Sequence, residues 1–336
     1  MLKPDFADYV YMFFTKYLPL QRGLSRNTIS SYSYSLGLFF QYCQCERGIP
    51  CNKLTLNKMD KHMIEDFLFW LESNRNNCAS SRNQRLSALK SIFNYIQTET
   101  VVYTALYRDI MSIPEKKTPT VPPKYLSVEE VEVLFSAPDI QTKQGRRDFV
   151  LLLLLYDSAA RAGEIVELKL SDVSFGKTPT VSLFGKRNKT RIVPITSKTA
   201  DMLRGYINEN RICQPDQLLF VNHSNNKLTT NGVSYILKKY ICLGKQTHPD
   251  MFCMSVSPHL MRSTKASHLI QNGVNIYYIR DFLGHSSVAT TERYARNNPE
   301  VVRTAVKKAS LDLHDSTDYY ESSEKFALLD YLKTLQ

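Results

Sequence analysis

The chain lacks any apolar run long enough to cross a bilayer. Its longest, Phe149 to Tyr156, is eight residues, against the ~20 that a transmembrane helix needs. At the N-terminus no basic segment leads into an apolar stretch with a small-residue cleavage site, so no secretory leader is expected. The seven cysteines include no CxxC pair, and Cys43 and Cys45 stand one residue apart. That spacing argues against a metal site, and an odd count without a leader predicts reduced thiols in a cytosol. No internal repeat or low-complexity tract stands out. What is present is 336 residues, enough for two domains of ordinary size, with 43% hydrophobic side chains to fill their cores.

Charge is unevenly spread. Residues 1–115 carry 13 Lys/Arg and 10 Asp/Glu, whereas residues 312–336 carry 2 and 6. The middle, 116–311, holds 28 basic and 16 acidic residues, net +12 of an overall +11. A basic middle suits a binder of phosphate backbones, because neutralising phosphates releases their counterions. A generic basic protein would carry the same charge, so the sign alone does not assign a partner.

The clearest boundary is IPEKKTPTVPPK, residues 113–124, whose four prolines and three lysines predict an extended, basic linker. Residues 1–112 read as all-helical. Ser25 is placed to cap a helix from Thr28 to Cys43 with Ile29, Tyr32, Leu36 and Phe39 on one stripe. A second helix groups Met63, Phe67 and Leu71 beside Ile64 and Leu68. A third runs from Ser80 to Ile96 with Leu86, Leu89, Phe93 and Ile96 on its apolar face. Arg82, Arg85 and Lys90 are expected elsewhere on that third helix, open to a duplex, as are Lys116 and Lys117 in the linker; solvated charge is the commoner fate of any one of them.

Residues 125–311 are mixed. Ser127 is placed to cap a helix, a buried helix spans about Asp148 to Ala159, and Thr180 to Phe184 with Arg191 to Ile195 read as a β-hairpin around a basic tip. The fold class expected is therefore α+β, mainly helical with a small sheet. Residues 312–336 form an acidic stretch, Asp312 to Glu324, then an amphipathic segment from Lys325 to Leu335.

Five segments hold the residues that matter for chemistry: Arg161 with Glu164; the tip Lys186-Arg187-Asn188-Lys189; His259 with Arg262; Leu283-Gly284-His285; and Tyr294. Each alone has an ordinary structural explanation. Together two Arg, one Lys, two His and one Tyr are an inventory for transferring a phosphodiester without a metal or other cofactor. Arg offers planar paired donors that match phosphate oxygens and neutralise a pentacoordinate phosphorus. A tyrosine, with a reference pKa of about 10, needs nearby cations to favour its anion. A Lys can protonate a departing 5′-oxygen. The three-residue interval from His259 to Arg262 places both on one face at a helix start. Val274 to Phe282 reads as the next helix, stopped by Gly284, and Ser286 or Ser287 is placed to cap a short helix carrying Tyr294.

On these segments the chain resembles the tyrosine recombinases, or phage-integrase family. Members share an Arg-x-x-Glu after a buried helix, a hairpin Gly-Lys-x-x-Lys, a His-x-x-Arg, and a Leu-Gly-His followed nine residues later by the Tyr, and each element stands here in order. GLSRNTISSYSYSL and SRNQRLSALKSIFNYI are similar to parts of the family's helical, SAM-like core-binding domain. The resemblance implies a C-shaped clamp around double-stranded DNA, a core-binding domain over 1–112 and a catalytic domain over 125–311. It implies that Tyr294 attacks the scissile phosphate to give a 3′-phosphotyrosyl bond. Arg161 and Arg262 would clamp non-bridging oxygens, His259 would take or share the tyrosine proton, and His285 would bond a phosphate oxygen. Lys186 would protonate the leaving oxygen, with Lys189 the alternative because Arg187 stands where many members have Gly; Arg187 and Lys189 would otherwise touch DNA. Glu164 would orient its surroundings. Ser263 and Ala295-Arg296 differ from members with a further His there.

Family-like sequence begins almost at Met1, which points to simple two-domain members. The stretch from His259 to Arg296 looks most like enzymes of mobile elements, whose tasks are integration, excision or transposition; Xer-type resolution is the alternative. Type IB topoisomerase-like relaxation and a non-catalytic DNA-binding regulator are the rivals from other classes. The resemblance also implies a homotetramer on two duplexes in the cytoplasm, with no membrane partner, and a C-terminal helix that either docks on a neighbouring subunit or folds back on its own domain.

Overall fold

The computed structural model describes residues 5–119, 123–185, 190–252 and 256–295. It divides into two compact units, Met1–Val121 and Pro122–Gln336.

The first unit is helical throughout: α1 (Asp5–Met12), running into a wider π-type stretch Phe13–Gln21, then α2 (Arg26–Arg47), α3 (Lys61–Ser73), α4 (Ala79–Glu99) and α5 (Thr104–Met111). Side-chain caps set the starts, with Ser25 accepting from the Thr28 amide and Asp60 from the Met63 amide. Gly48, at φ 62°, ends α2 in the left-handed conformation that a side chain resists. α4 is packed by its neighbours α2, α3 and α5, and Phe39, Phe67, Leu89 and Phe93 meet in the core. The chain after α5 stays on this unit: Ile113 is buried in that core and the Lys116 backbone exchanges two hydrogen bonds with the Asn83 side chain.

The second unit opens with α6 (Val128–Ser136), where Ser127 and Glu130 form a reciprocal capping box. α7 (Lys143–Asp157) begins five residues earlier than its apolar run suggests, because Thr142 caps it through the Gly145 amide. From Val150 onward it is packed on nearly every side, as a helix apolar all round must be. It ends before Ala159, which takes φ 48°. The four-residue α8 (Ala162–Ile165) follows, then a three-stranded antiparallel sheet, β1 (Val173–Ser174), β2 (Thr180–Phe184) and β3 (Thr190–Pro194), in that order. Register pairs Val181 with Val193 and Leu183 with Arg191, so all four share the face that is buried. Phe184 and Ile192 face out. Four further helices complete the unit: α9 (Ser197–Glu209), α10 (Thr230–Thr247), α11 (Pro258–Gln271) and α12 (Ile276–Leu283), before the short α13 (Val288–Ala295). α12 starts at Ile276, not Val274, because Asn275 caps it through the Tyr277 amide. Among the described residues no helix is long and apolar enough to cross a membrane.

The caps and the core make different demands on stability. Ser127→Ala is expected to cost ~1 kcal/mol, the usual loss of an N-cap, and Leu151→Ala, fully buried on α7, ~2–5 kcal/mol. Urea titration of the two variants checks both; equal losses would contradict the assignment.

Candidate active site

Three separate stretches of the second unit converge on one side chain. Arg262 sits in the first turns of α11 with no exposed surface. Its Nη1 donates to the Ala159 carbonyl at 2.8 Å and its Nη2 to the Leu283 carbonyl, while Nε–H, also buried, has no partner among the described residues. Ala159 precedes Arg161 by two residues and Leu283 precedes His285 by two. Burial, then the charges of Arg161 and Arg191, push the Arg262 guanidinium down to about 9. Of the two arginines expected to clamp a phosphate, Arg161 lines the cleft described below, whereas Arg262 is fully buried and donates to two backbone carbonyls.

Arg161 is fixed by Glu164. The buried Glu164 carboxylate accepts from the Arg161 amide at 2.7 Å and from Arg161 Nη1 at 2.8 Å. The same carboxylate takes both ends of Arg191, at 2.8 and 2.7 Å, and Arg191 Nε donates to the Phe282 carbonyl at 3.2 Å. Burial pushes the Glu164 carboxyl up, but the Arg191 hydrogen bonds, the Arg161 amide and the two guanidinium charges outweigh it and hold it below its ordinary value. Arg191 thus ties β3 to the Arg161 turn and to the end of α12. A Cβ on Gly284, whose φ is 64°, would stand 2.8 Å from Arg191 Cδ, so this turn needs glycine for space as well as conformation.

His285 follows that glycine and its Nδ1 lies 2.9 Å from Thr291 Oγ1. Its ring stacks on Tyr294 with centroids 6.4 Å apart. Burial, then the positive charges of Arg262 and Arg161, push the imidazole down to about 4. His259 opens to solvent at the start of α11, yet the protein around it and the charges of Arg262, Arg161 and Arg293 hold it below its ordinary value too. Tyr294 is buried on α13, packed with Ala159, Ala266, Ile279 and Leu283. Arg161, His259, His285 and Tyr294 line a single cleft of about 440 Å³, together with Lys124, Ser257 and Arg293.

Other sequence candidates fall elsewhere. Lys186, Arg187 and Lys189 lie outside the described residues. On the first unit, Arg82 is buried rather than open, with Nη1 donating to Asn83 and the Pro114 carbonyl and Nε 4.0 Å from Glu72. Arg85 reaches Ser35 at 3.3 Å and covers the Tyr34 ring. Lys90 donates to the Met111 and Ile113 carbonyls at the end of α5, where a helix C-terminus attracts a cation. Lys116 pairs with Glu72, and Lys117 is exposed. Sequence reasoning missed Arg191, Arg293, Lys124 and Thr291. The strand alternation around Arg191 was the one available signal, since an inward-facing Arg requires a buried partner.

Comparison with known proteins bears on the same residues. Residues 124–300 match the phage integrase family and residues 13–100 its N-terminal SAM-like domain. The chain is 31% identical to the integrase/recombinase y4rC of Sinorhizobium fredii, over 97% of this chain and 98% of that one. It is 28% identical to tyrosine recombinase XerC of Bacillus subtilis, over 86% and 92%. In fold it is similar to the XerH site-specific recombinase bound to its palindromic difH substrate, with TM-score 0.68 and 20% identity, covering 85% of this chain and 81% of that one.

The lowered imidazoles predict an acid sensitivity. In the unfolded chain His285 takes up its proton near its ordinary value of about 6.5, in the folded chain only at about 4. Between those values the unfolded state binds more protons, so stability rises with pH across the window. His285→Gln is expected to flatten that rise in urea midpoints measured from about pH 4 to about pH 6.5, leaving the part due to His259 and His268, both lowered as well. An unchanged slope would mean that His285 is not held neutral.

Proposed function

This chain belongs to the phage integrase family, the tyrosine recombinases, and from that premise we propose that it cuts and rejoins double-stranded DNA at specific sites for a mobile element, through a covalent bond to Tyr294. The carrying observation is the cleft that brings Tyr294, His285, His259 and Arg161 together from three chain segments, over the buried charge of Arg262.

Tyr294 Oη attacks the scissile phosphorus and the bond to the 5′-oxygen breaks, leaving a 3′-phosphotyrosyl ester and a 5′-hydroxyl. His259, neutral at physiological pH, accepts the phenol proton. Arg161 clamps a non-bridging oxygen, and His285 donates to one. Arg262 joins Arg161 in the clamp, supplying positive charge and an Nε–H that has no partner among the described residues. Lys186 gives the leaving oxygen its proton. One ester replaces another, so a 5′-hydroxyl from a partner strand reverses the step without ATP. Two duplexes present four strands, each cut by one tyrosine, which calls for four copies of the chain.

Integration is the reading supported by the likeness to the y4rC integrase/recombinase over almost the full length. The likeness to XerC over 86% of the chain favours a second reading, resolution at a chromosomal site.

Two experiments test these readings. On a nicked suicide substrate the wild-type protein is expected to form a covalent complex, and Tyr294→Phe to form none while binding the DNA within ~2-fold; joining by the Phe variant would refute the mechanism, since removal of a nucleophile costs many orders of magnitude. Sequencing the DNA trapped on Tyr294 in cells is expected to return the ends of an element. Recovery of one chromosomal site alone would favour the Xer reading.

A further inference from the structure

Thr291 is fully buried on α13, and its hydroxyl meets one partner among the described residues, His285 Nδ1. We propose that Thr291 is a positioning residue that fixes His285 as the neutral tautomer with its proton on Nε2, leaving a hydrogen-bond donor for the cleft. The inference rests on the reading above only in naming a DNA phosphate as the acceptor.

An imidazole bonded to a hydroxyl through Nδ1 has two arrangements. If the hydroxyl donates, the ring proton sits on Nε2. If Nδ1–H donates, Nε2 is left with a bare lone pair. A phosphate oxygen offers lone pairs only, so a bare Nε2 facing it repels, whereas Nε2–H binds. Protonating both nitrogens would satisfy the phosphate and the hydroxyl together, but burial of the ring and the charges of Arg262, Arg161 and Arg191 oppose it. The tautomer therefore decides whether His285 can bind an anion, and the atom that can decide the tautomer is Thr291 Oγ1. Its burial keeps water from competing for either partner. A helical threonine can otherwise turn its hydroxyl back to a carbonyl of the preceding turn; here it meets the ring nitrogen at 2.9 Å. The ring edge carrying Nδ1 faces α13, so the opposite edge, Nε2, is the one left for the cleft that His285 lines.

The test uses the full chain, ¹⁵N-labelled in histidine, with His285 assigned by loss of its signals in His285→Gln. Long-range ¹H–¹⁵N correlation at neutral pH reads the tautomer without any DNA. Wild type and Thr291→Ser are expected to hold the proton on Nε2, and the isosteric Thr291→Val to shift it wholly or partly to Nδ1. A wild-type proton on Nδ1, or no change in the Val variant, overturns the inference. In cleavage of the suicide substrate, Thr291→Val is expected to lose about 10–100-fold in rate, the usual effect of removing a group that orients a ring from behind, with DNA affinity within ~2-fold and Thr291→Ser near wild type. A wild-type rate in the Val variant would remove the positioning role. Should no variant, wild type included, form a covalent complex, the recombinase reading fails while the tautomer measurement still decides the inference.

Discussion

A guanidinium with no exposed surface constrains everything around it. Taking a charge out of water costs several kcal/mol unless its donors are engaged. Arg262 meets that demand with two backbone carbonyls, from Ala159 and Leu283, that belong to chain segments more than a hundred residues apart. Neither carbonyl is presented by an ordinary helix interior. Ala159 adopts a left-handed conformation that a residue with a Cβ resists, and Leu283 ends a helix that Gly284 terminates in the same region. The helix ends that deliver Arg161 and His285 are thus fixed by what one buried cation requires of their carbonyls.

The cluster is unbalanced by design. Three guanidiniums, Arg161, Arg191 and Arg262, face one buried carboxylate, Glu164, whose oxygens hold two of them. Surplus positive charge in a partly desolvated place opposes folding, and both imidazoles resist protonation first because they are desolvated and then because cations already occupy the surroundings. Such an excess suits a site whose substrate brings negative charge, and stability lost locally is the usual accompaniment of a site built for an absent ligand. Neutral histidines are also the ones that the proposed reaction uses. A neutral ring can take a phenol proton or donate from one nitrogen, whereas an imidazolium could only donate.

Much of this was legible in the sequence and some was not, for identifiable reasons. Periodicity and capping residues located α2, α3, α4 and α6, because Ser25 and Ser127 act on amides a few residues away. The motifs Arg161-x-x-Glu164, His259-x-x-Arg262 and Leu283-Gly284-His285 carried the family in residue types and intervals. Missing were facts that depend on pairing between distant segments. Arg191 reads as one more charge in a basic hairpin until the register with Leu183 turns it inward onto Glu164. Arg82, expected on an open face, is buried because the chain after α5 returns across α4 and places the Pro114 carbonyl on it. Arg262 carries no local sign that its ends are taken by carbonyls from elsewhere.

Tyr294, the nucleophile of the proposed reaction, is restrained differently from the groups around it. Arg161, Arg191 and Arg262 are held by directional hydrogen bonds, which fix charge at points. Tyr294 is held by packing, as a member of the buried cluster with Ala159, Ala266, Ile279 and Leu283. Packing suits a group that must present one oxygen at a defined place while its electronic state changes, because dispersion contacts are indifferent to whether the phenol is protonated. Thr291 lies one helical turn before Tyr294, and residues three apart share a face of a helix. That face therefore touches the His285 nitrogen with one residue and stacks on the His285 ring with the other. A displacement of α13 would move Tyr294 and disturb the imidazole together, so the two groups stay in register through eight residues of helix.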